Sequence, residues 1–225
     1  VGSVGTDTVV KRSQADGTLL WQAQIPAATW IAGVAIAPDG MVVASYLRGA
    51  PPFKGSVRAF DGETGATLWE YDTTPVSYYG HVQVPSIGSD GTVYLMTEYQ
   101  GVFAISRAGV LLWGSFTPRT TSSYTTVTIG DDALYVVNGA NGIRALDKSN
   151  SAYRWIRDDL GYSGAPAPIL DAANRLYYVA ESGTLYILDA ATGATLQTYQ
   201  VPGGNDVTGR VHPAIAADGV LLVGG

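Results

Sequence analysis

Cysteine is absent from the 225 residues, so disulfides, thiolate metal sites and cysteine nucleophiles are excluded. Histidine occurs only at His81 and His212, with no His-x-Glu-x-x-His spacing, and both are expected to be structural. Charged residues are scarce, at 14% against 46% hydrophobic, which describes an ordered globular chain. The 13 Lys and Arg are scattered and the net charge is −6, so no clustered cations grip a phosphate backbone and no nucleic-acid partner is expected. No apolar run approaches the roughly 20 residues that a membrane-spanning helix needs. Phosphate loops, dinucleotide fingerprints and Gly-x-Ser-x-Gly elbows are missing too. The chain opens on Val1 without a charged-then-apolar leader and is expected to be a mature product or a piece of a longer one.

What is plentiful is glycine, 28 residues, together with 14 tyrosines, as suits short strands joined by tight turns. One stretch recurs through the chain. It is clearest at Ala59-Phe60-Asp61-Gly62-Glu63-Thr64-Gly65-Ala66-Thr67-Leu68-Trp69, and it returns around Trp21, Trp113 and Trp155, and at Gln197, where Gln replaces Trp. Each copy reads as a β-hairpin. The Asp bonds the turn backbone, the Gly supplies a positive φ, and the second strand ends on a large ring carrying one N–H. The Trp or Gln positions are 48, 44, 42 and 42 residues apart. Repeats of that length, each holding four strand-like runs, are propeller blades. In the third unit the runs are 81–87, 92–97, 102–105 and 110–116.

The pattern Ala-x-Asp-x-x-Thr-Gly-x-x-x-Trp resembles the tryptophan docking motif of the pyrroloquinoline-quinone (PQQ) enzyme repeat. That repeat builds the propellers of quinoprotein dehydrogenases and of non-catalytic relatives such as outer-membrane-assembly lipoproteins. The resemblance implies that Trp21, Trp69, Trp113 and Trp155 pack between neighbouring blades, near the motif's Ala59, Gly65 and Gly193. No Trp-Asp dipeptide is present, and the Gly-Gly doublets at 203–204 and 224–225 do not recur once per unit as those of the kelch repeat do.

A single all-β propeller of four-stranded antiparallel blades is therefore expected over 1–225. Its blades are approximately 208–225 plus 1–24, 30–73, 79–118, 122–158 and 163–201. Joining the chain ends gives a fifth interval of 49 residues, so the two half-blades are expected to close a five-bladed ring, with 220–223 pairing beside Thr8–Lys11. The alternative is a slice of a seven- or eight-bladed propeller. An insertion at 45–55 reads as a Pro-rich hairpin loop that exposes Tyr46 and Phe53.

Aligning the units on their innermost strand places Trp30, His81, Ser122, Gly164 and Gly209 in one ring, with Tyr79, Gln83, Tyr124, Tyr162, Arg210 and His212 beside them. Trp30, Tyr79, His81, Gln83, Tyr124, Tyr162, Arg210 and His212 are the candidate ligand-binding rim, with aromatic faces and hydrogen-bond donors round a concavity. Sealing a narrow channel is the alternative role. The pairs Asp131-Asp132 and Asp158-Asp159 fall in turns and read as solvated charges; adjacent strand residues point to opposite faces and do not share a proton.

The resemblance raises PQQ-dependent dehydrogenation, which in the family uses eight blades, a calcium ion held by acidic and amide side chains, a catalytic Asp and often a disulfide of adjacent cysteines. This chain has no cysteine and no acid on the predicted rim. No catalytic residue, metal or cofactor is therefore expected, PQQ and calcium included. The expectation is a non-catalytic, exported, bacterial binding scaffold for a protein or carbohydrate, periplasmic or extracellular and monomeric. A fragment of a quinoprotein dehydrogenase is the alternative.

Overall fold

A computed structural model describes residues 7–26, 28–49, 54–73, 82–97, 101–116, 126–137, 142–161, 167–180, 182–201, 214–215 and 221–222. Among them every regular element is a strand. The chain divides into two compact units, Val1–Pro118 and Arg119–Gly225.

The first unit opens with a two-stranded sheet of β1 (Thr8–Arg12) and β2 (Leu19–Gln24). Two four-stranded sheets follow. One is β3 (Ala28–Ile36), β4 (Val42–Arg48), β5 (Lys54–Phe60) and β6 (Thr67–Asp72); the other is β7 (Ser86–Ile87), β8 (Val93–Thr97), β9 (Gly101–Ile105) and β10 (Leu111–Phe116). The second unit repeats the plan. Its sheets are β11 (Thr128–Ile129), β12 (Ala133–Val137), β13 (Ile143–Asp147) and β14 (Tyr153–Arg157), then β15 (Ile169–Leu170), β16 (Arg175–Val179), β17 (Thr184–Asp189) and β18 (Thr195–Gln200), and finally the pair β19 (Ala214–Ile215) and β20 (Leu221–Leu222). Each four-stranded sheet runs up and down in chain order with antiparallel neighbours, which is the blade of a propeller.

The turn chemistry accounts for the outer hairpins. Asp61 Oδ1 accepts from the Thr64 N–H and the Thr64 hydroxyl, both at 2.8 Å, and from the Glu63 N–H at 3.0 Å. Asp189 holds Thr192 by the same two 2.8 Å bonds. Gly65 and Gly193 then reverse the chain, each at φ 73°. At the equivalent position of the β13–β14 turn stands Ser151, held at φ 64°.

The core lies between sheets. In the first unit Val43, Leu47 and Val57 of one blade bury against Val82, Leu95 and Phe103 of the next. In the second, Tyr135, Val137 and Ile143 meet Leu176, Tyr178 and Leu188. The second and third strands of a blade are thus largely buried on both faces, as β8, β9 and β12 are throughout.

Several sequence expectations are corrected. The first strand of the third blade is only Ser86–Ile87, joined by an isolated bridge between Val82 and Thr97, because Pro85 has no N–H to continue a ladder. Tyr46 is not exposed but 1% accessible; the insertion lengthens β4 and β5, which pair out to Arg48 and Lys54. Of the segment 220–223, expected to pair beside Thr8–Lys11, only 221–222 are described, and there β19–β20 and β1–β2 are separate sheets. A matching apolar pattern does not by itself fix a register. The acidic pairs are exposed, as expected of turns, and Asp132 also binds Arg154 at 2.6 Å and Asp159 binds Arg157 at 2.7 Å.

Candidate functional site

The recurring tryptophans meet the next blade through one geometry. Trp21 donates its indole N–H to the Gly62 carbonyl at 2.9 Å, Trp69 to Arg107 at 2.7 Å and Trp155 to Ala190 at 3.0 Å. Each acceptor is the second residue of the following blade's Asp-x-x-Thr-Gly turn or its counterpart. The rings lie so close to Gly65, Gly109 and Gly193 that a Cβ there would sit 2.7–2.8 Å from ring carbon. Phe60 and Tyr135 back Trp21 and Trp155, with centroids 6.4 and 5.9 Å away, and Tyr94 lies 6.2 Å from Trp113. Ala59 is fully buried opposite Trp69. Gln197, by contrast, is exposed on β18 and accepts a bond from the Tyr199 hydroxyl at 2.9 Å.

A feature invisible in the repeat places these rings. In all five outer hairpins the register slips one residue before the Trp or Gln position. The skipped residue is Leu20, Leu68, Leu112, Arg154 or Leu196, and the four leucines are 47–55% exposed. The bulge turns the leucine outward and aims the following ring at the neighbouring blade.

Of the predicted rim, Tyr79, His81, Tyr124, Tyr162, Arg210 and His212 lie outside the described residues, as do Ser122, Gly164 and Gly209. Trp30 is half-buried on β3 and packs on the cluster that contains Val82, the residue before Gln83. Gln83 is 8% exposed; its backbone N–H binds the Met96 carbonyl at 2.9 Å, and its side-chain Nε2 has no acceptor.

The first unit also holds a cavity of about 880 Å³ that sequence reasoning missed. Val9 and Val10 of β1, Trp21, Val34 and Ile36 of β3, and Val42 line it, with Lys11, Arg12 and Glu63 among the polar residues around it. Ile36 is 70% exposed, the largest exposure of any sizeable apolar side chain among the described residues. Lys11 is tied down by the Gly62 carbonyl at 2.7 Å and Glu63 at 3.0 Å, so its charge is neutralised beside the apolar floor. The only sequence signal was the length of the apolar run 28–36. A second cavity, about 550 Å³ in the other unit, is polar and lined by Asp131, Asp132, Arg154, Asp171 and Asn174. Its groups are mutually satisfied: Arg154 binds Asp132, and Asp171 takes bonds from Arg175 at 2.7 Å and Tyr177 at 3.0 Å, which hold its carboxyl below the usual range against the opposing effect of burial.

Among the described residues no three of His, Asp and Glu converge on a point that could hold a metal ion. No described helix is long and apolar enough to cross a membrane.

Comparison with known proteins follows the repeat. The family model described as outer membrane protein assembly factor BamB matches residues 1–199. No curated protein matches the chain by sequence. Among solved structures, BamB from Moraxella catarrhalis is 21% identical, with a TM-score of 0.68 over 98% of this chain and 65% of that one. A europium-containing methanol dehydrogenase is 14% identical, with a TM-score of 0.67 over 95% of this chain and 57% of that one. The C-terminal WD40 domain of Sif2 is 13% identical, with a TM-score of 0.73 over 98% and 61%. At these identities the structural likeness shows the propeller fold alone. The chain spans about two thirds of the length of the Moraxella protein.

Proposed function

The chain belongs to the family described as outer membrane protein assembly factor BamB, and from that membership we propose that it is an exported, non-catalytic bacterial scaffold that binds a protein of the outer-membrane assembly apparatus. The blades are the scaffold, linked by the indole contacts of Trp21, Trp69 and Trp155. One observation carries the binding reading. The 880 Å³ cavity is open and floored by Val9, Val34, Ile36 and Val42, with Lys11 at its side paired to Glu63. Such a floor desolvates an apolar side chain or peptide segment favourably; a glycan would bring hydroxyls that it cannot satisfy. Protein is therefore preferred over carbohydrate as the partner class.

A photo-crosslinking residue at Ile36, on the full chain expressed in its native host, tests the reading. Capture of an outer-membrane assembly protein at Ile36, but not from the exposed Leu196, is the expected result. Equal capture from both positions, or none from Ile36, refutes it. Titration with PQQ and calcium separates the rival activity: the scaffold reading expects unchanged absorbance and fluorescence, and a saturable spectral change would require a quinoprotein instead.

A further inference from the structure

Outer strands of blades are sheet edges, and edges pair with other chains unless something blunts them. All five outer strands carry the bulge described above, so the bulge does not distinguish among them. Their side chains do. Strand β6 adds Glu70 and Asp72, and β14 adds Arg154 and Arg157; β2 and β18 each present two glutamines. Strand β10, Leu-Leu-Trp-Gly-Ser-Phe, has neither a charge nor an amide. It also follows Val110, so Val110, Leu111 and Leu112 form a consecutive apolar run, 61%, 38% and 55% exposed. An uncharged, Pro-free segment with three consecutive exposed apolar residues is the composition that seeks a β partner. Strand β10 ends its sheet, with β9 on one side and no strand on the other among the described residues.

We propose that β10 is a self-association edge, at which a second copy of this chain adds its own β10 antiparallel to the first. Two observations select a second copy as the occupant. Antiparallel pairing of a strand with itself is what a two-fold axis generates, so one edge per chain is enough to close a dimer without forming a fibre. Self-pairing also sets like beside like. It would place acid against acid along β6 and arginine against arginine along β14, whereas β10 brings no charge to repel its copy. A six-residue edge with a small apolar run makes a small interface, so the dimer is weak, with a Kd on the order of 100 µM, and dilute protein is monomeric. Because each copy carries net charge −6, the dimer forms against long-range repulsion and tightens as salt screens it.

Sedimentation equilibrium of the full chain across the micromolar to millimolar range tests this, with Leu112→Lys as the probe and Leu68→Lys as its counterpart on β6. Both leucines are exposed, so neither substitution disturbs the core. The expected result is a monomer–dimer equilibrium that strengthens with salt, is weakened at least about tenfold by Leu112→Lys, and is unchanged by Leu68→Lys. Hydrogen exchange on the unaltered protein gives an independent reading: amides of 111–116 gain protection as concentration rises. A monomer at every concentration, equal weakening by both substitutions, or dimerisation without added protection in 111–116 would overturn the proposal. So would binding of an unrelated extended peptide at β10 by a chain that never dimerises.

Discussion

Replacing Trp21 by Ala, alone and together with Gly65→Ala, tests whether the repeat's indole holds adjacent blades together. Trp21 is 8% exposed, donates to the Gly62 carbonyl at 2.9 Å and stacks at a tilt on Phe60. Burying an indole removes about 200 Å² from water, worth about 5 kcal/mol at 25 cal/mol per Å². Partial collapse of the site moderates the loss, so Trp21→Ala is expected to cost about 3–5 kcal/mol. Gly65→Ala costs for two separable reasons. Its φ of 73° is disfavoured for an L residue by about 1–2 kcal/mol, and its new Cβ would sit 2.8 Å from the Trp21 ring. With the ring gone only the backbone part survives. The two losses should therefore be less than additive, with a coupling of about 1–3 kcal/mol in a urea-denaturation cycle. Additivity to within about 0.5 kcal/mol would show that ring and turn are energetically independent, and the inter-blade role would be lost.

Other expectations are briefer. Ser151→Gly should stabilise by about 1 kcal/mol in thermal melts, since Ser151 occupies at φ 64° the position that Gly65 and Gly193 fill elsewhere; no gain would mean that its local contacts repay the strain. Trp155→Ala should lower the urea midpoint far more than Gln197→Ala, because the indole bonds Ala190 across a blade junction whereas Gln197 lies exposed. Acid should destabilise the fold below about pH 4. Asp147 is held down to about 2 by hydrogen bonds from Ser149 and Arg154, so its contribution is present above its ordinary 3.8 and disappears as pH falls towards 2. Asp61 and Asp189, lowered by the hydrogen bonds of their own turns, act in the same direction. Melting temperature followed from pH 5 to 2 should fall less steeply in Asp147→Asn, and parallel curves would rule out this carboxylate as a contributor.

The sequence alone determined what is local and repeated. Asp61, Thr64 and Gly65 close a turn with bonds that reach five residues at most, so their spacing announces the hairpin, and the interval between tryptophans announces the blade. Tertiary structure decided what depends on neighbours. Whether Leu68 or Trp69 faces the next blade hangs on a bulge that either residue order permits. The acceptor of the Trp21 indole lies 41 residues away. Tyr46 is buried because a strand continued where proline suggested a loop, and its hydroxyl then found Glu70 at 2.5 Å. The apolar cavity beside β1 and the unguarded edge of β10 likewise come from which faces remain uncovered after the sheets pack, and periodicity within one strand carries no record of that.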